Sequence, residues 1–136
     1  MCGLRLILVA VVAGASCSHV TAGDRSGREP SADPFASIPR DEWIAESANA
    51  FAIRDRNPQA PIHALVISKA AIPTILAAPG PLLGEMLELA KVVAEREGIA
   101  TSGFRIVINT RPEGGQSVYH VHMHVLGGRQ MKWPPG

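Results

Sequence analysis

The run HVHMHVL, residues 120–126, places histidine at every second position, and a period of two is the period of a β-strand. On a strand, His120, His122 and His124 project from one face, about 6.5–7 Å apart at a rise of roughly 3.3 Å per residue. Val121, Met123 and Val125 then face the opposite side, which must be core. Three imidazoles in register are hard to place as packing alone, because each brings polar atoms that need partners. The chain has only five histidines in 136 residues, so the row is a concentration of chemistry.

The remaining pattern supplies the layers around that strand. Residues 50–54, AFAIR, read as a strand ended by the turn DRNPQAP, and residues 62–68, IHALVIS, form a β-branched run of strand length. Asp41 to Asn49 fits either a helix or a short strand. Between Pro81 and Gly98, Leu82, Leu83, Met86, Leu89, Ala90 and Val93 recur at helical spacing, with Glu88, Lys91, Glu95 and Arg96 largely on the other side. Phe104 to Asn109 alternates as a strand, RPEGG makes a turn, and Ser117 to Leu126 is expected as the last strand. Two strands, a helix and two further strands predict an α+β domain with a mainly antiparallel sheet.

Lysine and arginine number 13 against 12 aspartates and glutamates, so no global field attracts a nucleic acid or an anionic membrane. An anion bound here must be caught by local geometry. Residues 1–22 carry one charge, Arg5, ahead of an apolar run from Leu6 to Ala15, which is the pattern of a signal peptide. The run is about half of the roughly 20 residues that span a bilayer. Cleavage after Ala22 and lipidation of Cys17 as a lipoprotein anchor are competing outcomes, and both predict export to a periplasmic or membrane-anchored location. A displaced start site would instead leave a cytoplasmic protein. Cys2 and Cys17 both fall in this segment, which argues against a disulfide framework or a cysteine zinc site in the domain. Residues 23–34 read as a flexible linker, and residues 35–136 as the folded domain.

Two chemistries compete for the histidine row. Alternate strand histidines can share a zinc ion, with His63 as a further ligand. Alternatively, the GGQS stretch just upstream points to phosphoryl chemistry. There Gly114 and Gly115 let backbone amides approach an anion, and Gln116 and Ser117 offer side-chain donors. One histidine attacks while the others hold protons and stabilise charge.

HVHMHVL also matches the His-x-His-x-His signature of the histidine triad (HIT) superfamily, and GGQSVYHVHMHVLGGRQMKWPPG closely resembles the carboxyl end of its HINT branch. DRNPQAPIHALVISK and FRIVIN resemble the same branch's earlier strands. The resemblance implies a five-stranded antiparallel sheet with helices, and a homodimer with a ten-stranded sheet in which the helix from Pro81 to Gly98 is the dimer helix. It implies a metal-independent, cofactor-free purine nucleoside phosphoramidase that cleaves adenosine or guanosine 5'-phosphoramidates and aminoacyl adenylates. In that scheme His122 is the nucleophile, His124 contacts the phosphate, His120 and His63 tune protonation, and Ser117 donates toward the leaving amine. Gly115 and Gln116 fall in the phosphate loop, Asp55 and Asn109 match ribose-binding positions, and Phe35, Ile38, Ile53 and Leu65 line the base pocket. Trp133 matches a tail that approaches the partner's site.

Three features depart from the family pattern. The Cys-x-x-Cys of many members is absent, Ala71 stands where they have histidine, and Arg56 replaces an aliphatic residue beside Asp55. A module that binds purine nucleotides or a protein without catalysis is the alternative.

Overall fold

The computed structural model describes residues 33–135. The expected signal segment, Cys17 and nearly all of the linker lie outside the described residues. The strands are β1 (Ala45–Glu46), β2 (Ala50–Arg54), β3 (Ile62–Ser68), β4 (Phe104–Val107) and β5 (His122–Gly127), with one helix, α1 (Gly80–Arg96), between β3 and β4. They form a single antiparallel sheet in the order β1-β2-β3-β5-β4. This is the expected α+β architecture. The stretch left open between helix and strand resolves into a short 3-10 turn, Arg40–Glu42, followed by β1.

The sheet is covered on both faces, which explains why β2 and β3 are buried along nearly their whole length. One face packs α1. Ala50, Ala52 and Ala64 are small enough to let the helix approach, and Met86, Leu89, Ala90, Val93 and Ala94 fill the space together with Val66, Val121, Met123 and Val125. The other face carries Phe51, Ile53, Leu65 and Ile67, and Phe35, Ile38 and Trp43 pack onto it. Both ends of the helix are tied to the sheet side of the molecule. Glu85 accepts from the Asn49 backbone and side-chain amides at 2.6 and 2.9 Å, and Arg54 pairs with Glu97 at 2.7 Å.

The helix stops as its sequence predicts. Gly98 takes φ +73°, its N–H donates to Glu95 O at 3.1 Å, and the N–H of Ile99 reaches back to Ala94 O at 2.9 Å. That pair of bonds satisfies carbonyls the helix would otherwise leave open, and a left-handed residue is most easily supplied by glycine.

Two expected strands are shorter than their patterns. β5 begins at His122 rather than Ser117, because the Val121 N–H donates to Ile72 O at 2.6 Å and so joins a loop instead of the ladder. β4 ends at Val107, opposite His124, leaving Asn109 beyond the sheet. His120 and Ser117 therefore belong to a loop feeding the strand. The predicted alternation still holds, since Val121, Met123 and Val125 are all in the helix-side core.

Met86 is fully enclosed between α1 and the sheet. Met86→Ala is expected to lower unfolding free energy by about 2–5 kcal/mol through lost burial and the cavity left behind, as measured by urea denaturation.

Candidate active site

The β3–β5 ladder brings His63, His122 and His124 together on the face opposite α1, and the loop ahead of β5 adds His120. The ladder sets Leu65 across from His124 and Ile67 across from His122, so His63, two residues earlier on the same face of β3, lies diagonal to His124. His63 and His124 meet at 2.9 Å between Nε2 and Nδ1. The rings of His122 and His124 are 5.0 Å apart and nearly perpendicular.

Hydrogen-bond direction assigns each ring's proton. The Gln59 N–H donates to His63 Nδ1 at 3.1 Å, so the His63 proton is on Nε2, where it faces His124 Nδ1 and, at 3.3 Å, Asp55 Oδ2. His124 Nδ1 must then accept, which places its own proton on Nε2. That atom is buried and has no partner among the described residues. His122 Nδ1 donates to the His120 carbonyl at 2.7 Å, leaving the lone pair on Nε2. The site thus presents an unshared imidazole lone pair beside an unsatisfied buried N–H.

Burial keeps these rings neutral. It is the main cause holding His122 and His63 below the ordinary imidazole value, with Asp55 opposing it at both. His124 is pushed down to about 4, by burial first and then by the neighbouring His122 and His63. A neutral ring is what a nitrogen nucleophile requires.

The loop from Thr110 to Val118 differs from its sequence reading in one respect. Gly115 N–H donates to Pro112 O at 2.9 Å and Gln116 N–H to Arg111 O at 3.0 Å, so both amides are spent inside the turn. The Gln116 side chain is also engaged: Nε2 donates to Pro73 O and Val118 O at 2.7 and 3.0 Å, and Oε1 accepts from Arg111 N–H at 2.8 Å. Gln116 is a buried staple for this loop, and neither its amides nor that of Gly115 is a free anion donor. Gly114 is needed for space, because a Cβ there would collide with the Thr110 backbone. Ser117 is exposed, and neither its hydroxyl nor its N–H has a hydrogen-bond partner among the described residues.

Asp55 is half-buried beside His63, and its Oδ1 accepts the Asn57 N–H at 2.8 Å. Asn109 is half-buried just past β4. Phe35, Ile38, Ile53 and Leu65 do share one apolar cluster, and Trp43, Phe51 and Ile67 complete it. Phe51 was legible in the alternation of AFAIR, whereas Trp43, which stacks on Phe51 at 4.2 Å, had no periodic signal. Trp133 is 84% exposed, and its segment is held by Arg105, which donates to Lys132 O at 2.7 Å. Among the described residues, Asp55, His63 and His124 are the group whose ligand atoms, all within 4.8 Å, could converge on a metal ion. The donor–acceptor pairing of His63 with His124 already uses two of those nitrogens.

The sheet and its histidine row define a histidine-triad type of α+β domain. The HIT domain family model matches residues 39–131. An uncharacterized HIT-like protein of Synechococcus elongatus is 50% identical over 102 residues, covering 73% of this chain and 88% of that protein. The purine nucleoside phosphoramidase of Escherichia coli (strain K12) is 49% identical over 83 residues, 59% of this chain and 70% of the enzyme. A solved HIT family hydrolase from Legionella pneumophila aligns with TM-score 0.68 at 47% identity, covering 73% of this chain and 90% of that one. The chain belongs to the HIT family.

Because the folded pKa values of His122 and His124 lie below the unfolded value, both rings stay neutral as pH falls past 6.5. An NMR titration is expected to place His124 near 4. The unfolded chain takes up these protons first, so stability contributed by the neutral rings is present above about pH 6.5 and falls as pH drops toward 4.

Proposed function

We propose that the protein is a metal-independent purine nucleoside phosphoramidase, hydrolysing the phosphorus–nitrogen bond of adenosine or guanosine 5'-phosphoramidates and the corresponding bond of aminoacyl adenylates. One observation carries this reading. The lone pair of His122 Nε2 and the buried Nε2–H of His124, neither with a partner among the described residues, belong to rings 5.0 Å apart, a pairing suited to a group with an electrophilic phosphorus and anionic oxygens. The identity with the Escherichia coli phosphoramidase supports the choice of substrate.

In the proposed cycle, His122 Nε2 attacks the α-phosphorus and the bond to the amine breaks, while His124 Nε2–H stabilises the phosphate oxygens. The Ser117 hydroxyl donates a hydrogen bond toward the departing nitrogen, which takes a proton from solvent and leaves as the amine. Water then attacks the nucleotidyl-histidine intermediate, releasing the nucleoside monophosphate, returning a proton to solvent and restoring neutral His122. His63 holds the His124 proton on the substrate side through the bond fixed by Gln59. Asp55 Oδ2 and Asn109 take the ribose hydroxyls, and the base packs in the apolar cluster of Phe35, Ile38, Ile53 and Leu65.

The working unit in this reading is a homodimer. β4 is the outer strand of the sheet, with Phe104, Ile106 and Val107 each half-buried, and α1 leaves Leu87 and Val92 exposed. A second copy joined edge to edge would cover both and bring the Trp133 tail to the neighbouring site.

Adenosine 5'-phosphoramidate incubated with the protein and excess chelator is expected to release AMP. His122→Ala is expected to reduce that rate by at least about a thousandfold, as loss of a nucleophile does, with AMP affinity changed by less than about tenfold. No release by the wild type would refute the assignment. Light scattering is expected to give twice the chain mass, and Ile106→Lys on the outer edge to give a single chain mass, since an edge lysine opposes strand pairing.

A further inference from the structure

We infer that Asp33 is a positioning residue for the site, orienting His120 and, through it, the proposed nucleophile His122. The inference rests on the reading of His122 just given. Asp33 lies 87 positions before His120, in a stretch whose composition reads as linker, and neither its neighbours nor any motif singles it out.

The geometry is a short relay. Asp33 Oδ2 lies 2.6 Å from His120 Nδ1, and on the far side of the ring His120 Nε2 lies 2.7 Å from Ser68 O. Both partners are acceptors, so both bonds form together only when His120 donates from both nitrogens. A ring clamped in this way cannot flip, and the peptide that carries it is held in place. The carbonyl of that same residue accepts the His122 Nδ1–H at 2.7 Å, the bond that leaves the His122 lone pair on Nε2. An error in where His120 sits therefore passes directly to the nucleophile.

The second oxygen of the same carboxylate works on the opposite wall. Asp33 Oδ1 accepts the Phe35 N–H at 3.0 Å, fixing a turn that sets the Phe35 ring edge-on to His120 at 5.5 Å and to His122 at 5.1 Å. One carboxylate thus determines the ring behind the nucleophile and the ring against it. Burial opposes its charge, but the bonds from His120 and from the Phe35 amide outweigh that and hold the Asp33 carboxyl below its ordinary value, so it stays ionised. An analogous orienting carboxylate serves the nucleophile's partner histidine in triad hydrolases, where it sets ring and tautomer without reacting itself.

The test uses the full chain with Asp33→Ala and the near-isosteric Asp33→Asn, which guards against loss of folding in the first. Three quantities are read: kcat and KM on adenosine 5'-phosphoramidate, AMP affinity by calorimetry, and proton–nitrogen NMR spectra of the histidine rings. Both variants are expected to lose roughly ten- to a hundredfold in kcat, the scale of a small misplacement of reacting groups, with AMP affinity within about threefold of wild type. The wild-type spectra are expected to show protons on both nitrogens of His120 and on Nδ1 of His122, and the variants to lose this pattern. Unchanged kcat and unchanged ring spectra in Asp33→Asn would overturn the inference, as would a fall in kcat matched by an equal fall in AMP affinity. Should the wild type release no AMP, the phosphoramidase reading fails on its own. The ring spectra then decide the Asp33 relay, and a pattern identical in wild type and variants overturns it.

Discussion

The site depends on the ladder between β3 and β5. Six backbone pairs, from Ile62 with Gly127 to Ile67 with His122, bring His63 to His124 across 61 positions of sequence. A shift of one residue in that register would turn every histidine into the helix-side core and every core valine outward. The apolar residues between the histidines are what forbid the shift. Val121, Met123 and Val125 have a place only under α1, so packing energy on one face of the strand enforces the position of the chemistry on the other.

Burial then keeps the imidazoles of His122 and His124 neutral. The rings sit on a sheet already closed by Phe35, Ile38 and Trp43, and desolvation lowers the affinity of His122 and His124 for protons. Three of the hydrogen bonds around the histidines come from the backbone: the Gln59 amide and the carbonyls of Ser68 and His120. Backbone partners are rigid and do not titrate, so proton positions around the row are set by the fold. The side-chain partners are His63 with His124 and the carboxylates Asp55 and Asp33, which sit at the two ends of the group.

The loop that precedes β5 shows a different use of polar groups. Its glycines and glutamine suggest an anion cradle, yet the amides of Gly115 and Gln116 and the Gln116 side chain are consumed in holding the loop itself. A buried amide side chain with three satisfied bonds is a support. It presents the next residue, Ser117, to solvent with its donors unpaired among the described residues.

Much of this was readable in the chain. Periodicity alone placed β2, β3 and the helix, and the alternation of HVHMHVL separated histidine face from core, because local spacing decides which side of a strand or helix must be buried. Spacing also named the triad and, through family resemblance, His63 and the apolar wall. What it could not convey were facts that depend on distant segments meeting. The late start of β5 follows from a bond to Ile72, the engagement of Gln116 from Pro73, and the Asp33–His120 pair from a contact across most of the domain. Side-chain periodicity is a property of the local backbone and is written in neighbouring residues. Proton placement and loop support are properties of hydrogen-bond partners, which only the tertiary fold chooses.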